Sequence, residues 1–223
     1  SENSSIPVPD TLVVIDEADN CATPIVAFVS ETSDNQTCPE TITRIYSVTD
    51  DCGNSINVQH LIIVNDDVPP TASNPQSLTF ACLSDIPSPD INVITDAADN
   101  NSTPTVSYIS ETSNNNSCPQ IITRIYRVTD DCGNYIELSH IIIIDDDIPP
   151  TASDPSPIEL YDIANIPNPD VNVVIDEADN CAIPTVAFIS EVSNNDTCQL
   201  IITRTYSVTD DCGNSINVSH DII

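Results

Sequence analysis

The sequence predicts an all-β chain built as tandem β-sandwich repeats strung into an elongated rod. Three observations carry this. First, Val48-Thr49-Asp50-Asp51-Cys52-Gly53-Asn54 returns as Val128-Thr129-Asp130-Asp131-Cys132-Gly133-Asn134 and as Val208-Thr209-Asp210-Asp211-Cys212-Gly213-Asn214, with offsets 128 − 48 = 80 and 208 − 128 = 80. A fixed period of this size is the signature of a repeat architecture. Second, short runs of Ile, Val, Thr and Tyr alternate with turns rich in Pro, Asn and Asp, and no stretch carries helical periodicity. Third, the chain has 18 Pro, 3 Gly, no Trp and no Met. Its cores must therefore come from β-branched residues and a repeated Tyr, which suit a pleated surface.

The elements of one period follow in order. Ile6-Pro7-Val8-Pro9-Asp10, Ile86-Pro87-Ser88-Pro89-Asp90 and Ile166-Pro167-Asn168-Pro169-Asp170 form an extended lead-in, because two Pro two apart exclude helix. A short strand is expected next, over 12–15, 91–94 and 171–175. It ends in an acidic loop: Asp16-Glu17-Ala18-Asp19-Asn20, Asp96-Ala97-Ala98-Asp99-Asn100 and Asp176-Glu177-Ala178-Asp179-Asn180. A third segment, 25–30, 105–110 and 185–190, reads as strand, and an Asn- and Ser-rich loop leads from it to Cys38, Cys118 or Cys198. In the next strand Ile42, Arg44, Tyr46 and Val48 share one face, and Thr43, Ile45 and Ser47 the other. The only glycines, Gly53, Gly133 and Gly213, then sit where the Asp-Asp-Cys-Gly-Asn turn needs positive φ. The last strand covers 56–64 and 136–144. The period closes at Asn65-Asp66-Asp67-Val68-Pro69-Pro70-Thr71 and Asp145-Asp146-Asp147-Ile148-Pro149-Pro150-Thr151.

These closures place three units at 1–66, 67–146 and 147–223. Residues 1–5 correspond to 81–85, so the first copy lacks its opening strand, and the chain reads as a segment of something longer. Roughly seven short strands in 80 residues fit an immunoglobulin-like sandwich. Short, Pro-stiffened junctions predict a semi-rigid array.

Charge narrows the function. Four Lys+Arg, all of them Arg (Arg44, Arg124, Arg127, Arg204), stand against 35 Asp+Glu, for a net charge of −31. No basic surface exists to meet phosphates, which excludes nucleic acid and anionic membrane surfaces. No apolar run of roughly 18 residues exists, so direct membrane insertion is excluded. Such charge favours either solubility in salty surroundings or divalent cations that offset self-repulsion. Threading a sandwich in tandem brings three acidic segments to one end of each unit. For the second copy these hold Asp66, Asp67, Asp96, Asp99, Asn100, Asp130 and Asp131, together with Asn134. For the third they hold Asp145, Asp146, Asp147, Asp176, Glu177, Asp179, Asn180, Asp210 and Asp211, with Asn214. Calcium takes six to eight hard oxygens from such groups, so Ca2+ at each junction is the expected cofactor. The bland alternative is a set of solvated turns, where Asp and Asn are favoured anyway.

Nothing points to an enzyme. His60, His140 and His220 recur at the period in the last strand without a nucleophile–carboxylate constellation. Arg44, Arg124 and Arg204 are expected to pair with Glu31, Glu111 and Glu191 as partly buried structural ion pairs.

Nine Cys, three per period, suggest an oxidising, extracellular setting, because small cores need staples there; reduced, buried thiols are the alternative. Cys118 and Cys132 lie at opposite ends of one strand, roughly 40 Å apart, too far for a bridge. Taking each sandwich by itself, the expected pairs are Cys21–Cys52, Cys82–Cys118 and Cys181–Cys212, leaving Cys38, Cys132 and Cys198 over.

Asp-Glu-Ala-Asp-Asn-Cys, Ile-Thr-Arg-x-Tyr-Ser-Val-Thr-Asp-Asp-Cys-Gly-Asn and Asn-Asp-Asp-Val-Pro-Pro-Thr, as they stand at 16–21, 42–54 and 65–71, resemble the hyalin-repeat-like (HYR-like) modules. These form long arrays in giant surface proteins of Bacteroidota, many linked to gliding motility and adhesion. The resemblance covers essentially the whole chain. It implies an immunoglobulin-like sandwich, type IX secretion, a cell-surface location and a role as adhesin stalk or filament. Where that family often has four Cys per unit, each unit here keeps three. The junction at 65–70 is also similar to the calcium-binding interdomain motif of cadherins, Asp-x-Asn-Asp-Asn-x-Pro. Asp10-Thr11-Leu12 resembles an O-glycosylation acceptor of the HYR-like group, and Asn35, Asn101 and Asn195 open N-glycosylation sequons.

The leading reading is therefore a structural stalk segment whose partners are neighbouring repeats of the same chain, with lateral self-association between chains as a further contact. The alternative is a multivalent module that uses the Asn/Ser loops at 33–37, 113–117 and 193–197 to hold surface glycans or a protein.

Overall fold

The computed structural model describes residues 6–223, so the missing opening strand expected at residues 1–5 lies outside the described residues. The fold is all-β. Its strands are β1 Ile25–Ser33, β2 Glu40–Thr49, β3 Ser55–Val64, β4 Leu78–Phe80, β5 Thr105–Ser113, β6 Gln120–Thr129, β7 Tyr135–Ile144, β8 Thr185–Ser193, β9 Ile202–Thr209 and β10 Ser215–Ile222. Three sheets result, one per period, in the orders β1-β2-β3, β4-β7-β6-β5 and β10-β9-β8. The pairings β1–β2, β2–β3, β8–β9 and β9–β10 are antiparallel, whereas the short β4 lies parallel to β7 through Leu78↔Ile142 to Phe80↔Ile144. An isolated bridge, Ile158↔Ile222, holds the same place beside β10.

The second layer is less regular than the sequence suggests. Where short strands are expected at 12–15, 91–94 and 171–175, the chain forms 3-10 turns at Thr11–Val13, Ile91–Val93 and Val171–Val173. The Asp that ends each Pro lead-in is the cause. The carboxylates of Asp10, Asp90 and Asp170 accept the N–H two residues on, from Leu12 (3.0 Å), Asn92 (2.9 Å) and Asn172 (3.0 Å). Such local capture competes with strand pairing. Among the described residues the regular strands per period are thus three or four rather than seven, and irregular chain completes the other layer.

Contacts divide the chain into two compact units. One consists of Ser1–Pro75, Asp90–Ile109 and Ile125–Ser139. Its cores follow strand alternation. On β2, Ile42, Arg44, Tyr46 and Val48 are buried while their neighbours are half-open, which matches the face read from sequence. Phe28 packs edge-on against Tyr46 with ring centroids 5.8 Å apart, an arrangement worth about 1 kcal/mol beyond the area buried. Ile94, Tyr126, Val128 and Leu138 form a second cluster. Arg44, 3% exposed, donates from Nε to Glu31 at 2.6 Å and from Nη2 to the Pro7 carbonyl at 2.6 Å. The Pro lead-in is thereby tied to the Tyr strand.

The other unit consists of Gln76–Pro89, Ser110–Arg124 and His140–Ile223. Ile122, Ile142 and Ile144 pack with Phe80 and Ile86, and Val174, Tyr206, Val208 and Val218 form a separate cluster. Arg124 and Arg204 repeat the Arg44 arrangement, with Glu111 and the Pro87 carbonyl and with Glu191 and the Pro167 carbonyl. His140 and His220, 3% and 2% exposed, are buried on the same faces.

The cysteine pairing differs from the expectation. The bridges are Cys38–Cys132, Cys82–Cys181 and Cys118–Cys212, with Cα–Cα distances of 5.0, 5.0 and 4.9 Å. Cys21, Cys52 and Cys198 are exposed thiols. The expected pairs Cys21–Cys52, Cys82–Cys118 and Cys181–Cys212 are therefore wrong as pairs. Separations of 94, 99 and 94 residues exceed the 80-residue period, so every bridge joins one copy to the next. The expectation confined each bridge to a single sandwich, and the cysteine that completes it stands on the neighbouring copy.

Candidate metal centres

Each junction brings one aspartate from each of three segments to a common point. Asp66 leaves β3, Asp99 sits in the acidic loop before β5, and Asp130 closes β6. One carboxylate oxygen from each lies within 4.8 Å of the others. Asp146, Asp179 and Asp210 form the same group one period later (146 − 66 = 179 − 99 = 210 − 130 = 80). Asp66, Asp130, Asp146 and Asp210 are buried, at 8%, 7%, 5% and 9% exposure.

The hydrogen bonds around each group leave particular oxygens over. Asp66 Oδ1 accepts from Val68 N at 2.9 Å, and Asp99 Oδ2 from Asn101 N and Ser102 N, both at 2.9 Å. Those amides, Asn101 first, hold the Asp99 carboxyl below its ordinary value. Asp66 Oδ2 and Asp99 Oδ1 are buried and have no hydrogen-bond partner among the described residues. In the third copy the orphan is Asp179 Oδ1, and Glu177 Oε2 is likewise buried without a partner. Asp146 Oδ2 is met instead by Asn180 Nδ2 at 2.9 Å. Buried carboxylate oxygens without donors are costly. Like charges this close repel one another unless a cation offsets them.

Asn134 organises the first group. Its Nδ2 donates to Asp130 Oδ2 at 2.7 Å and to the Asp66 carbonyl at 2.8 Å. Asn214 does the same toward Asp210 Oδ2 at 2.8 Å and the Asp146 carbonyl at 2.7 Å. The closing Asn of the Gly turn thus fixes a carboxylate of its own copy to the backbone that leaves the copy before.

The remaining acidic candidates lie outside these groups. Asp96 and Asp176 each accept the N–H of Ser73 or Ser153 on both oxygens, at 3.1–3.2 Å, which holds both carboxyls below the usual range. They latch the chain after the junction beside the bridges Thr71↔Ala98 and Thr151↔Ala178. Asp67 accepts from Asn65 Nδ2 at 2.6 Å and is exposed. Asn100, Asp131, Asp147 and Asp211 are exposed. Exposed Asp145 lies 3.2 Å from Cys118 Sγ, and Asp146 lies near Cys82 and Cys181, but those sulfurs are in disulfides and offer no thiolate to a metal. Sequence reasoning passed over the part of Asn134 and Asn214 as organisers and the Cys38–Cys132 and Cys118–Cys212 bridges beside the clusters. The recurrence of Cys at a spacing of 94 was the available signal.

The donor set fits calcium. It is all oxygen and strongly anionic, and oxygens bound to one Ca2+ at 2.3–2.6 Å lie no more than about 5 Å apart. Asp66, Asp99 and Asp130 would hold one ion, and Asp146, Asp179 and Asp210 another.

Residues 70–144 match the family described as "HYR-like domain with 4 cysteines". No curated protein matches the chain. Among solved structures, "Protocadherin Gamma B2 extracellular cadherin domains 3-6" is 12% identical with a TM-score of 0.32, over 85% of this chain and 61% of that one. "Protocadherin gammaB7 EC3-6 cis-dimer structure" is 11% identical with a TM-score of 0.32, over 90% and 68%. A likeness that loose carries no inference about function. No helix among the described residues is long and apolar enough to cross a membrane. The matched residues fall in the middle copy of the period, which carries the three cysteines Cys82, Cys118 and Cys132.

Proposed function

We infer that this chain is a structural segment of an extracellular stalk or filament on a cell surface, an adhesin shaft of tandem immunoglobulin-like repeats rather than an enzyme. Its copies run over 1–66, 67–146 and 147–223. Calcium and disulfides fix each copy to the next, and the segment's task is to extend and hold whatever the array carries. The observation that supports this most is the duplicated junction. Three aspartates from three segments converge twice at the same period, with donorless buried oxygens in both groups. A cation there would join the exit of one copy to the acidic loop and Gly turn of the next, beside a covalent bridge between the same two copies. Partners on this reading are further repeats of the same array, with lateral association between chains a secondary contact.

Calorimetric titration of the 223-residue chain with CaCl2 tests it. The expected result is at least two sites per chain, with Asp99→Asn and Asp179→Asn each abolishing one. Absence of binding up to millimolar calcium would overturn the calcium reading.

A further inference from the structure

A disulfide and the carboxylates beside it share the same two short stretches of chain. Asp130, Cys132 and Asn134 belong to one turn, and Asn65 and Asp66 directly follow β3. Cys38 Sγ lies 3.3 Å from Asn65 Oδ1, one residue before Asp66. Its bridge partner Cys132 stands two residues after Asp130. The arrangement recurs one period on. Cys118 Sγ lies 3.2 Å from Oδ1 of Asp145, the neighbour of Asp146. Its partner Cys212 stands two residues after Asp210 and donates its own N–H to Asp210 Oδ1 at 2.9 Å. The covalent link from Cys38 to Cys132 thus spans the same gap, from strand exit to Gly turn, as the approach of Asp66 to Asp130.

Chain connectivity alone supplies that approach poorly. Asp66 and Asp130 are 130 − 66 = 64 residues apart. By way of the bridge the path is short: two residues from Asp130 to Cys132, a disulfide with Cα atoms 5.0 Å apart, and the contact of Cys38 with Asn65. The hydrogen bond from Asn134 Nδ2 to the Asp66 carbonyl, 2.8 Å, ties the same two stretches. Charge acts against both. Asp66 is 8% exposed, its Oδ2 is buried without a donor among the described residues, and its carboxylate meets those of Asp99 and Asp130. Without a counter-ion this repulsion pushes the strand exit and the turn apart. A closed bridge resists that push, so less ordering is left for a bound cation to impose. A cavity of about 260 Å3 lies against the cluster, with Asn35, Thr37, Asp66, Ser102, Asp130 and Cys132 in its wall. It gives a cation room to reach the carboxylates while the bridge is closed.

We propose that the Cys38–Cys132 disulfide is the positioning element of the Asp66, Asp99 and Asp130 cation site, so that bridge formation and calcium binding reinforce each other. The proposal rests on the calcium reading above and adds redox regulation to it. Closed, the bridge holds the three carboxylates at their binding spacing. A dithiol opens it by thiol–disulfide exchange: the S–S bond breaks, two electrons and two protons pass to the two sulfurs, and the dithiol closes to a cyclic disulfide. The cation must then gather the carboxylates unaided. Linkage makes the effect mutual. The factor by which the bridge raises calcium affinity is the factor by which calcium favours the closed bridge. The Cys118–Cys212 bridge stands in the same relation to Asp146 and Asp210.

Calorimetric calcium titration of variants of the 223-residue chain tests this. Asp179→Asn leaves the first site to be read alone, and adding Cys38→Ser with Cys132→Ser removes its bridge. The expected result is a calcium Kd about 5- to 150-fold higher without the bridge, the range usual for coupled sites. In the Asp99→Asn chain, which keeps the other site, the same two serines should leave the Kd unchanged. An equal Kd at the first site with and without the bridge would overturn the coupling and leave the calcium reading standing. An Asp179→Asn chain that takes up no calcium would overturn both. The unmutated chain gives a second test that needs no variant to fold. It is equilibrated in mixtures of reduced and oxidised dithiothreitol, alkylated, and read at Cys38 and Cys132 by peptide mass spectrometry. Half-reduction of this bridge should need a higher ratio of reduced to oxidised dithiothreitol in saturating calcium than in chelator, by the same factor. Half-reduction at one ratio in both conditions would contradict the proposal.

Discussion

Arg124 shows how much of this fold rests on single buried polar residues. Its side chain is 6% exposed, whereas that of its partner Glu111 is 37% exposed. The two ends of the pair should respond differently to mutation. Glu111→Ala leaves a buried guanidinium with only the Pro87 carbonyl, at a cost of about 2 kcal/mol, below the buried-pair range because the site opens toward water. Arg124→Met keeps the packing and frees a glutamate that can turn outward, at a cost of about 1 kcal/mol. Urea denaturation of both variants checks the order, and a larger loss for Arg124→Met would contradict it. The pairing itself was legible, because Arg and Glu recur together at the period and fall opposite each other in the β1–β2 and β8–β9 registers. The third member, the Pro carbonyl, was not, since no side-chain pattern announces a backbone acceptor 37 residues away.

At the level of elements, the Tyr strands and their neighbours read cleanly because alternation, a Gly turn and β-branched residues all point the same way. The second layer did not, because Asp10, Asp90 and Asp170 turn apparent strands into 3-10 turns by side-chain capture. Aspartates also latch that layer, and this gives it a pH dependence. Asp96 and Asp176 lie below the ordinary 3.8, chiefly through the hydrogen bonds from Ser73 and Ser153. A depressed carboxyl stabilises fully above 3.8 and loses that contribution as pH falls through its lower folded value. His140 is held below 6.5 by burial. The unfolded chain therefore binds its proton first, and stability falls as pH drops from 6.5 through the folded value. Urea midpoints should thus hold steady above pH 6.5 and decline in two stages in acid. His140→Gln should flatten the first stage and Asp96→Asn part of the second. Midpoints that rise on acidification would contradict the assignment.

Over the whole chain, the three periods, the strand faces and the acidic convergence were all present in the residues. The disulfide scheme was not, because it is a property of two consecutive copies. A bridge such as Cys38–Cys132 makes sense only when the end of one repeat is considered beside the start of the next. The same holds for the Asp clusters, whose members Asp66 and Asp146 leave the copy that precedes their companions Asp99 and Asp130, Asp179 and Asp210. A net charge of −31 concentrated partly at such points is tolerable if cations sit there. The most direct measurement is the thermal unfolding of the intact, oxidised chain in excess chelator, in calcium and in magnesium. A ligand held only by the folded state at a hundred times its Kd contributes about 2.7 kcal/mol per site, or about 5–10 °C for a chain of this size. The expected result is a rise of at least that size with calcium, not reproduced by magnesium and absent from the Asp99→Asn, Asp179→Asn double variant. An unfolding temperature unchanged between chelator and calcium would contradict it.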